Sequence, residues 1–411
     1  MNATMKQPVR ILMLVENNAY PFDVRVRREA TALQEAGYDV TVIAPRATGQ
    51  PWTETINGVK VHRFPAPPGG AGLLSYAAEF LYATLAMLAV ALKVFFKHGF
   101  DVIHAANPPD TLFIVAAVFK PFGVKFVFDH HDLAPETYLS RFQRPKRNAV
   151  YWALRLLERC TFALADLVIA TNESYKAVAM SRGHKRADQV YVVRNGPPLA
   201  FKPCSPDPEL AARAPNLVGY IGTMGPQDGV DYWLRALHEL VFTLKRKDVL
   251  AVVIGDGDAM PQLRALAKEL ALEPYIWFTG RVTDQQVLSY LSTVQVCVQP
   301  DPLNPLNDKS TMNKVMEYMA LSKPIVAFDL CETKRSAQEA AIYAPPNDVL
   351  EFAKKVMWLM ENPGERERMG EIGRMRVMSS LAWDHSAPRL VQAYVQGLSL
   401  EAGNRTAGNL Q

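Results

Sequence analysis

Cysteine is scarce. The 411 residues include four, Cys160, Cys204, Cys297 and Cys331, and none stands at the close spacing of a metal-binding pair. Cys160 and Cys297 lie in apolar runs, where a free buried thiol is the ordinary expectation. Without a disulfide framework the default compartment is the cytosol. Excess charge is also missing: 45 basic against 41 acidic residues leave +4. That is too little for nucleic-acid binding, although clustered basic residues can still meet an acidic lipid surface. The first ten residues are polar and lack the arrangement of a secretory signal. The most apolar stretch, Phe80–Leu92, is bounded by Glu79 and Lys93. It falls short of the roughly 20 residues that cross a bilayer. A buried or interfacial helix is expected there, with the core as the preferred place. A glycine-rich G-x-G-x-x-G turn is absent after the first strand-like run; the segment reads Glu16-Asn17-Asn18-Ala19-Tyr20-Pro21. A nicotinamide dehydrogenase is therefore poorly supported.

What the chain does have is alternation. Strand-like runs at Arg10–Val15, Asp39–Ala44, Asp101–His104, Lys125–Phe128 and Leu167–Ala170 are separated by helical patterns such as Asp23–Ala36 and Asn148–Ala165. Asn57-Gly58 marks a hairpin. Apolar, β-branched strands interleaved with helices predict a parallel sheet covered on both faces. After the Pro-rich segment Pro197–Pro215 the alternation restarts, with strands at Asn216–Ile221, Val249–Ile254, Ile276–Phe278, Val294–Gln299 and Pro324–Phe328. The expected organisation is an α/β Rossmann-like domain over 1–198, a second over 199–380, a helix over 381–400 returning to the first, and a disordered tail over 401–411. In open α/β sheets ligands sit beyond the carboxyl ends of the strands.

Four motifs lie at such ends or beside them. Gly255-Asp256-Gly257 follows a strand and precedes a helix, where glycine admits close backbone approach and free N–H groups; taken alone, tight turn geometry is the commoner explanation. His130-His131-Asp132 follows the strand Lys125–Phe128, with Glu136 in the same loop. A histidine beside a carboxylate can orient a substrate hydroxyl or share its proton. Two adjacent histidines are poorly placed to share one ion, so no metal is expected. The run Asn307-Asp308-Lys309-Ser310-Thr311-Met312-Asn313-Lys314-Val315-Met316-Glu317 is the most informative. Asn307, Asp308, Ser310 or Thr311 can each cap a helix beginning near Met312, whose N–H groups and positive dipole end suit a diphosphate. Lys314 and Glu317 share a face of that helix, either as an ion pair or with Glu317 accepting from vicinal ribose hydroxyls. Finally, Arg141, Arg144, Lys146, Arg147 and Arg155 cluster with Phe142, Tyr151 and Trp152, which fits an anionic membrane surface or a solvated helix face equally.

Taken in order, these segments resemble the retaining glycosyltransferases of family 4, over nearly the whole chain from Arg10 to Leu400. The likeness is carried by Asp23–Ala30, Asp101–His104, His131-Asp132-Leu133, Asp166–Ala170, Val193–Gly196, Gly222–Asp231, Gly255–Gly257, Phe278–Gly280 and Glu317 through Val326. It implies the GT-B fold, two facing Rossmann-like domains, with a nucleotide-diphosphate sugar held by the second and an acceptor by the first. It also implies retention of anomeric configuration without a metal or other cofactor. His131 matches the family's histidine near the reacting sugar, and Glu317 the second glutamate of a pair seven residues apart. The first glutamate is replaced by Lys309, and the usual basic pair by Thr223 and Asp228. A leaving diphosphate needs cationic or N–H partners; Lys309, Lys314, Arg194 and Arg25 are candidate replacements.

The expected machinery is His131, Asp132 and Glu317 for catalysis. The donor is assigned to Asn195, Gly222, Thr223, Gly255, Gly257 and the run Lys309–Lys314, including Ser310, Thr311, Met312 and Asn313. Asn18, Arg25 and Glu136 are assigned to the acceptor or cleft. The expected activity is sugar transfer to a lipid-linked or saccharide acceptor in surface-polysaccharide or glycan assembly, in the cytoplasm or at the inner face of the plasma membrane. The rivals are an inactive partner subunit of the same fold, and an epimerase or hydrolase acting on nucleotide sugars.

Overall fold

The computed structural model describes residues 8–67, 72–142 and 146–400. The expected disordered tail, 401–411, and Arg144 lie outside these. Two compact units emerge. Of the described residues, the first comprises 8–67, 72–137, 146–194 and 386–400, the second 138–142 and 195–385.

The first unit is built on eight strands: β1 (Arg10–Leu14), β2 (Asp39–Arg46), β3 (Thr53–Ile56), β4 (Val59–Pro65), β5 (Val102–Ala106), β6 (Lys125–His130), β7 (Leu167–Ala170) and β8 (Val190–Val192). Their order across the sheet is β3-β4-β2-β1-β5-β6-β7-β8. Apart from β3, which pairs antiparallel with β4, neighbouring strands are parallel. Ile11–Leu14, all of β5 and all of β7 are buried, as a sheet covered on both faces demands. The β3–β4 turn places Asn57 at φ 51° and Gly58 at φ 83°, the two left-handed residues that a tight hairpin requires. The order turns back on itself at β1 and β5, so the carboxyl ends of β1, β5 and β6 are where a ligand crevice belongs.

Helix α1 (Val24–Glu35) is capped by Asp23, whose carboxylate accepts from the Val26 N–H at 2.9 Å. Helix α2 (Leu73–His98) runs for 26 residues and encloses the apolar stretch expected to be core. That expectation is corrected: only 28% of its most apolar 18-residue window is buried. One narrow stripe, Ala83, Thr84, Met87, Ala91 and Val94, meets the unit, while Leu74, Leu81, Leu85 and Phe96 are exposed.

The second unit has six parallel strands in the order β11-β10-β9-β12-β13-β14. They are β9 (Asn216–Ile221), β10 (Val249–Ile254), β11 (Ile276–Gly280), β12 (Val296–Gln299), β13 (Ile325–Phe328) and β14 (Ala341–Ala344). One face is packed by a core containing Trp233, Phe328 and Phe352, the other by a core containing Leu217, Tyr318 and Met319. The reversal falls between β9 and β12. The Pro-rich segment is tied to this unit: Leu210, in the short helix Pro208–Ala211, is buried in the second of these cores. The helix Trp383–Gln392 then carries the chain back to the first unit, where Tyr394 is fully buried against Tyr38 and His104.

Candidate active site

In the first unit the two histidines part company because a strand sends alternate side chains to opposite faces. His130 is buried among Phe128, Phe162 and Tyr175, and burial lowers its pKa to about 3, so it stays neutral. His131 lies just past β6 and keeps some exposure. Its Nδ1 is 3.0 Å from Asp129 Oδ2. Asp129 is fully buried and grips Arg25 through two parallel bonds, Nε to Oδ2 at 2.8 Å and Nη2 to Oδ1 at 2.5 Å. Burial disfavours the imidazolium of His131, but the Asp129 charge and hydrogen bond outweigh it, and the pKa lies above its ordinary value. Burial likewise opposes the Asp129 carboxylate, yet Arg25 and His131 hold its pKa far below the usual range. Nδ1–H is thereby directed at Asp129, leaving Nε2 for a substrate.

Behind this pair Arg25 also reaches Glu29 at 3.0 Å, and Glu29 lies 3.3 Å from His104 Nε2. The His104 Nδ1 is 2.7 Å from the Tyr394 hydroxyl. Ligand atoms of Glu29, His104 and Asp129 fall within 4.8 Å of one another. The Arg25 guanidinium ion-pairs with both carboxylates, while the Glu29 oxygens and His104 Nε2 make no hydrogen bond.

Asn107, at the end of β5, holds the loop itself. Its Oδ1 accepts from the N–H groups of His131 at 2.9 Å and Asp132 at 3.1 Å. Its Nδ2 donates to the Asp132 carbonyl and to Asp110, both at 2.9 Å. The Asp132 carboxylate accepts from Thr137 at 2.6 Å. Glu136 belongs to a different cluster: with Glu158 it holds Arg182. Asn18 is exposed in the loop after β1.

In the second unit three loops meet at the carboxyl ends of β9, β10 and β12. Gly255 and Gly257 are required by packing: an added Cβ would stand 2.0 Å from the Gly222 carbonyl oxygen and 2.5 Å from that of Met224. The Met224 N–H donates to the Asp256 carbonyl at 3.1 Å, and the Ala259 N–H to the Met224 carbonyl at 2.9 Å. Asn307 ties the third loop in, donating to the Gln227 carbonyl at 3.0 Å. Thr223 is exposed among them, and Asp228 accepts from the Gly225 N–H at 2.8 Å. Burial raises the Asp228 carboxyl to about 6.

The helix at the end of this run is Asn313–Ala320, and Met312 at its N-cap gives it no side-chain cap. The N-cap position therefore falls on Met312 rather than on Asn307, Asp308, Ser310 or Thr311, and three of those four side chains have partners elsewhere. Asn307 is spent on Gln227 and Pro302, the Ser310 hydroxyl donates to the Leu306 carbonyl, and Asp308 accepts from the Cys331 N–H at the start of the next helix. Lys309, Ser310, Thr311 and Met312 are partly buried and Asn313 is exposed. Glu317 is partly buried one turn further on. Lys314 points inward, 3.0 Å from Asp301 and 3.3 Å from the Tyr220 hydroxyl. Burial opposes its charge, but Asp301 outweighs that and keeps it protonated. Arg25 and Lys314 are therefore each committed to a buried carboxylate. Asn195 follows β8, where the second unit begins.

Sequence reasoning missed Asn107 and Asp129. The signal for Asp129 was present: an acid one residue beyond an apolar run, in a buried strand, needs a cation, and Arg25 stands on the buried face of α1.

Comparison with known proteins decides the family. A glycosyl transferase 4-like domain matches residues 23–196, and a domain of the glycosyl transferases group 1 matches residues 215–362. The chain belongs to the group 1 glycosyltransferases. The two parallel-sheet units are the GT-B fold. A sucrose-phosphate synthase structure from Thermosynechococcus elongatus superposes with a TM-score of 0.77 at 19% identity, over 95% of this chain and 99% of that one. The Anabaena protein HepE, solved with UDP and glucose, gives 0.71 at 17% identity over 94% and 99%. Among curated relatives, an alpha-D-kanosaminyltransferase of Streptomyces kanamyceticus is 29% identical over 157 residues. That match covers 38% of this glycosyltransferase and 39% of the relative.

Proposed function

We propose that the protein transfers a hexose, with retention, from a nucleotide-diphosphate sugar to a lipid-linked or saccharide acceptor in surface-polysaccharide or glycan assembly. It would act in the cytoplasm or at the inner face of the plasma membrane. The observation that carries this is the convergence of the Gly222–Gly229, Gly255–Gly257 and Asn307–Met312 loops on a helix start with no side-chain cap. Such a start offers backbone N–H groups to a diphosphate, which matters more here because Arg25 and Lys314 are committed elsewhere. Glu317, one turn along, is assigned to the ribose hydroxyls. His131, with Nδ1 held by Asp129, is assigned to a hydroxyl of the transferred sugar. The bond from the anomeric carbon to the diphosphate breaks and the bond to the acceptor oxygen forms on the same face. The acceptor's proton passes to the leaving phosphate oxygen, and no metal or cofactor is invoked. HepE, solved with UDP and glucose, supports a nucleotide-sugar donor.

One observation favours a second reading, a partner subunit without turnover: Asp228 stands where the family has a cation. A donor panel tests both. Purified protein is scored by thermal shift and by nucleotide release in the presence of acceptor. One nucleotide-diphosphate sugar is expected to stabilise the fold and be consumed, and His131→Ala and Glu317→Ala should each lower turnover at least ~100-fold in protein that remains folded by circular dichroism. Unchanged turnover in both variants would refute the assignment, and donor binding without turnover would favour the partner subunit.

A further inference from the structure

A helix on the surface of a soluble domain normally turns its charged side outward. Helix α2 does the reverse. Its outward stripe runs through Leu74, Ala78, Leu81, Leu85, Ala89 and Phe96, residues three, four or seven apart. Leu74 is 86% exposed, Leu81 59%, Leu85 57% and Phe96 83%. At 1.5 Å per residue α2 is about 39 Å long, long and apolar enough by length and composition to cross a membrane. It does not stand free to cross a bilayer, because Ala83, Met87, Ala91 and Val94 seat it lengthwise on the first unit.

The apolar surface continues sideways. The helix Phe113–Phe119 lies beside α2 and exposes Ile114 and Val118; in the turn just before it, the Thr111 hydroxyl lies 2.7 Å from that of Thr84. Phe122 is exposed and meets Phe95 with ring centres 5.4 Å apart. Next to that helix lies Ala149–Leu164, which exposes Trp152 and Leu156. A contiguous apolar surface of this kind needs an occupant.

Charge identifies which. The exposed basic residues of α2 are Lys93, Lys97 and His98, all at its C-terminal end; its one acid, Glu79, is partly buried and faces Glu16. Lys146, Arg147 and Arg159 are exposed at or near the start of Ala149–Leu164 and along it. An apolar stripe with a basic end and an exposed tryptophan fits a helix lying in the headgroup region of an anionic bilayer. We infer that the α2 face is a membrane-docking surface, with α2 lying flat on an anionic lipid leaflet. The inference rests on the proposed membrane contact and centres it on α2, keeping Lys146, Arg147 and Trp152 of the basic run but not Arg141 or Arg155. There Arg141 pairs with Asp258 and Arg155 with Glu158.

The test is co-sedimentation of the full chain with vesicles of phosphatidylglycerol and phosphatidylcholine, and with vesicles of phosphatidylcholine alone. The expected result is binding to the anionic vesicles that weakens at high salt, and at least a tenfold loss of it in Leu81→Glu/Leu85→Glu. Both positions are exposed, so melting temperature should not fall; Lys93→Gln/Lys97→Gln provides a second variant, expected to lose the salt-sensitive part alone. Absence of wild-type binding at low salt overturns the inference, as does undiminished binding of the leucine variant. A dimer by light scattering that Leu81→Glu/Leu85→Glu makes monomeric also overturns it, because a second copy then covers the face. Nucleotide release is scored separately: vesicle binding without release defeats the proposed transfer alone, and release without vesicle binding defeats the docking surface alone.

Discussion

Asp228 shows at single-residue scale how this chain departs from a simple diphosphate site. Burial is the main reason its carboxyl rises from 3.8 to about 6, and Asp301 adds to it; Lys314, the Gly225 N–H and Arg141 pull the other way. The folded protein therefore holds this proton more tightly than the unfolded chain does. The stability cost is absent below about pH 4, grows as pH rises toward 6, and is fully present above that. Asp228→Asn keeps an acceptor for the Gly225 N–H and removes the charge. A stabilisation of about 1–2 kcal/mol at pH 7.5 is expected, discounted from full desolvation because the residue retains some solvent contact. Melting curves at pH 7.5 and pH 4 check it. A shift of equal size at both would mean the carboxylate carries no burial cost.

At the scale of elements, the loops after β9 and β10 act as one piece because glycine lets their backbones touch. Gly257→Ala would push a methyl group to 2.5 Å from the Met224 carbonyl oxygen, so the Gly222–Gly225 loop must move. Gly280→Ala meets nothing within 4 Å, but its φ of 71° is costly for alanine. The two should separate cleanly. Gly280→Ala is expected to cost about 1 kcal/mol of stability with donor binding intact, whereas Gly257→Ala should weaken nucleotide-diphosphate binding at least ~10-fold. Titration calorimetry with the nucleotide that the donor panel identifies would show it. Equal affinities in the two variants would refute a shared donor platform. These loops also show what sequence reading can reach. The strands were legible because a sheet buried on both faces leaves unbroken apolar runs, and turn glycines mark their ends. The capping of Asn313–Ala320 was not legible: four residues with good capping chemistry precede it, but the long-range partners Gln227 and Cys331 take the side chains of Asn307 and Asp308, and Ser310 turns back to Leu306. Helix α2 misled for a related reason, since an apolar run reads alike whether it faces a core or a lipid.

At the scale of the whole molecule, the first unit is completed by the last stretch of chain. The returning segment brings Tyr394 into the interior, where its hydroxyl meets His104 and its ring lies 5.5 Å from that of Tyr38. The Tyr38 hydroxyl in turn donates to the Leu400 carbonyl at 2.9 Å. His104 leads on to Glu29, Arg25, Asp129 and finally His131, so a buried polar chain links the C-terminal helix to the candidate catalytic histidine. Truncation after His385 would open this network to water on one side and remove a fully buried aromatic ring, a loss of several kcal/mol. The expected outcome is selective. In the truncated chain, hydrogen exchange should accelerate in β1, β5 and α1 of the first unit, while the second unit, whose core lies within residues 195–385, keeps its protection and its affinity for the nucleotide diphosphate. Tyr394→Phe separates packing from polarity: it retains the ring, leaves His104 Nδ1 without its partner, and should cost about 1–3 kcal/mol. If the truncated protein instead exchanged at the full-length rate throughout, the returning helix would be an appendage, and the route from Tyr394 to His131 would have no bearing on how the site is held.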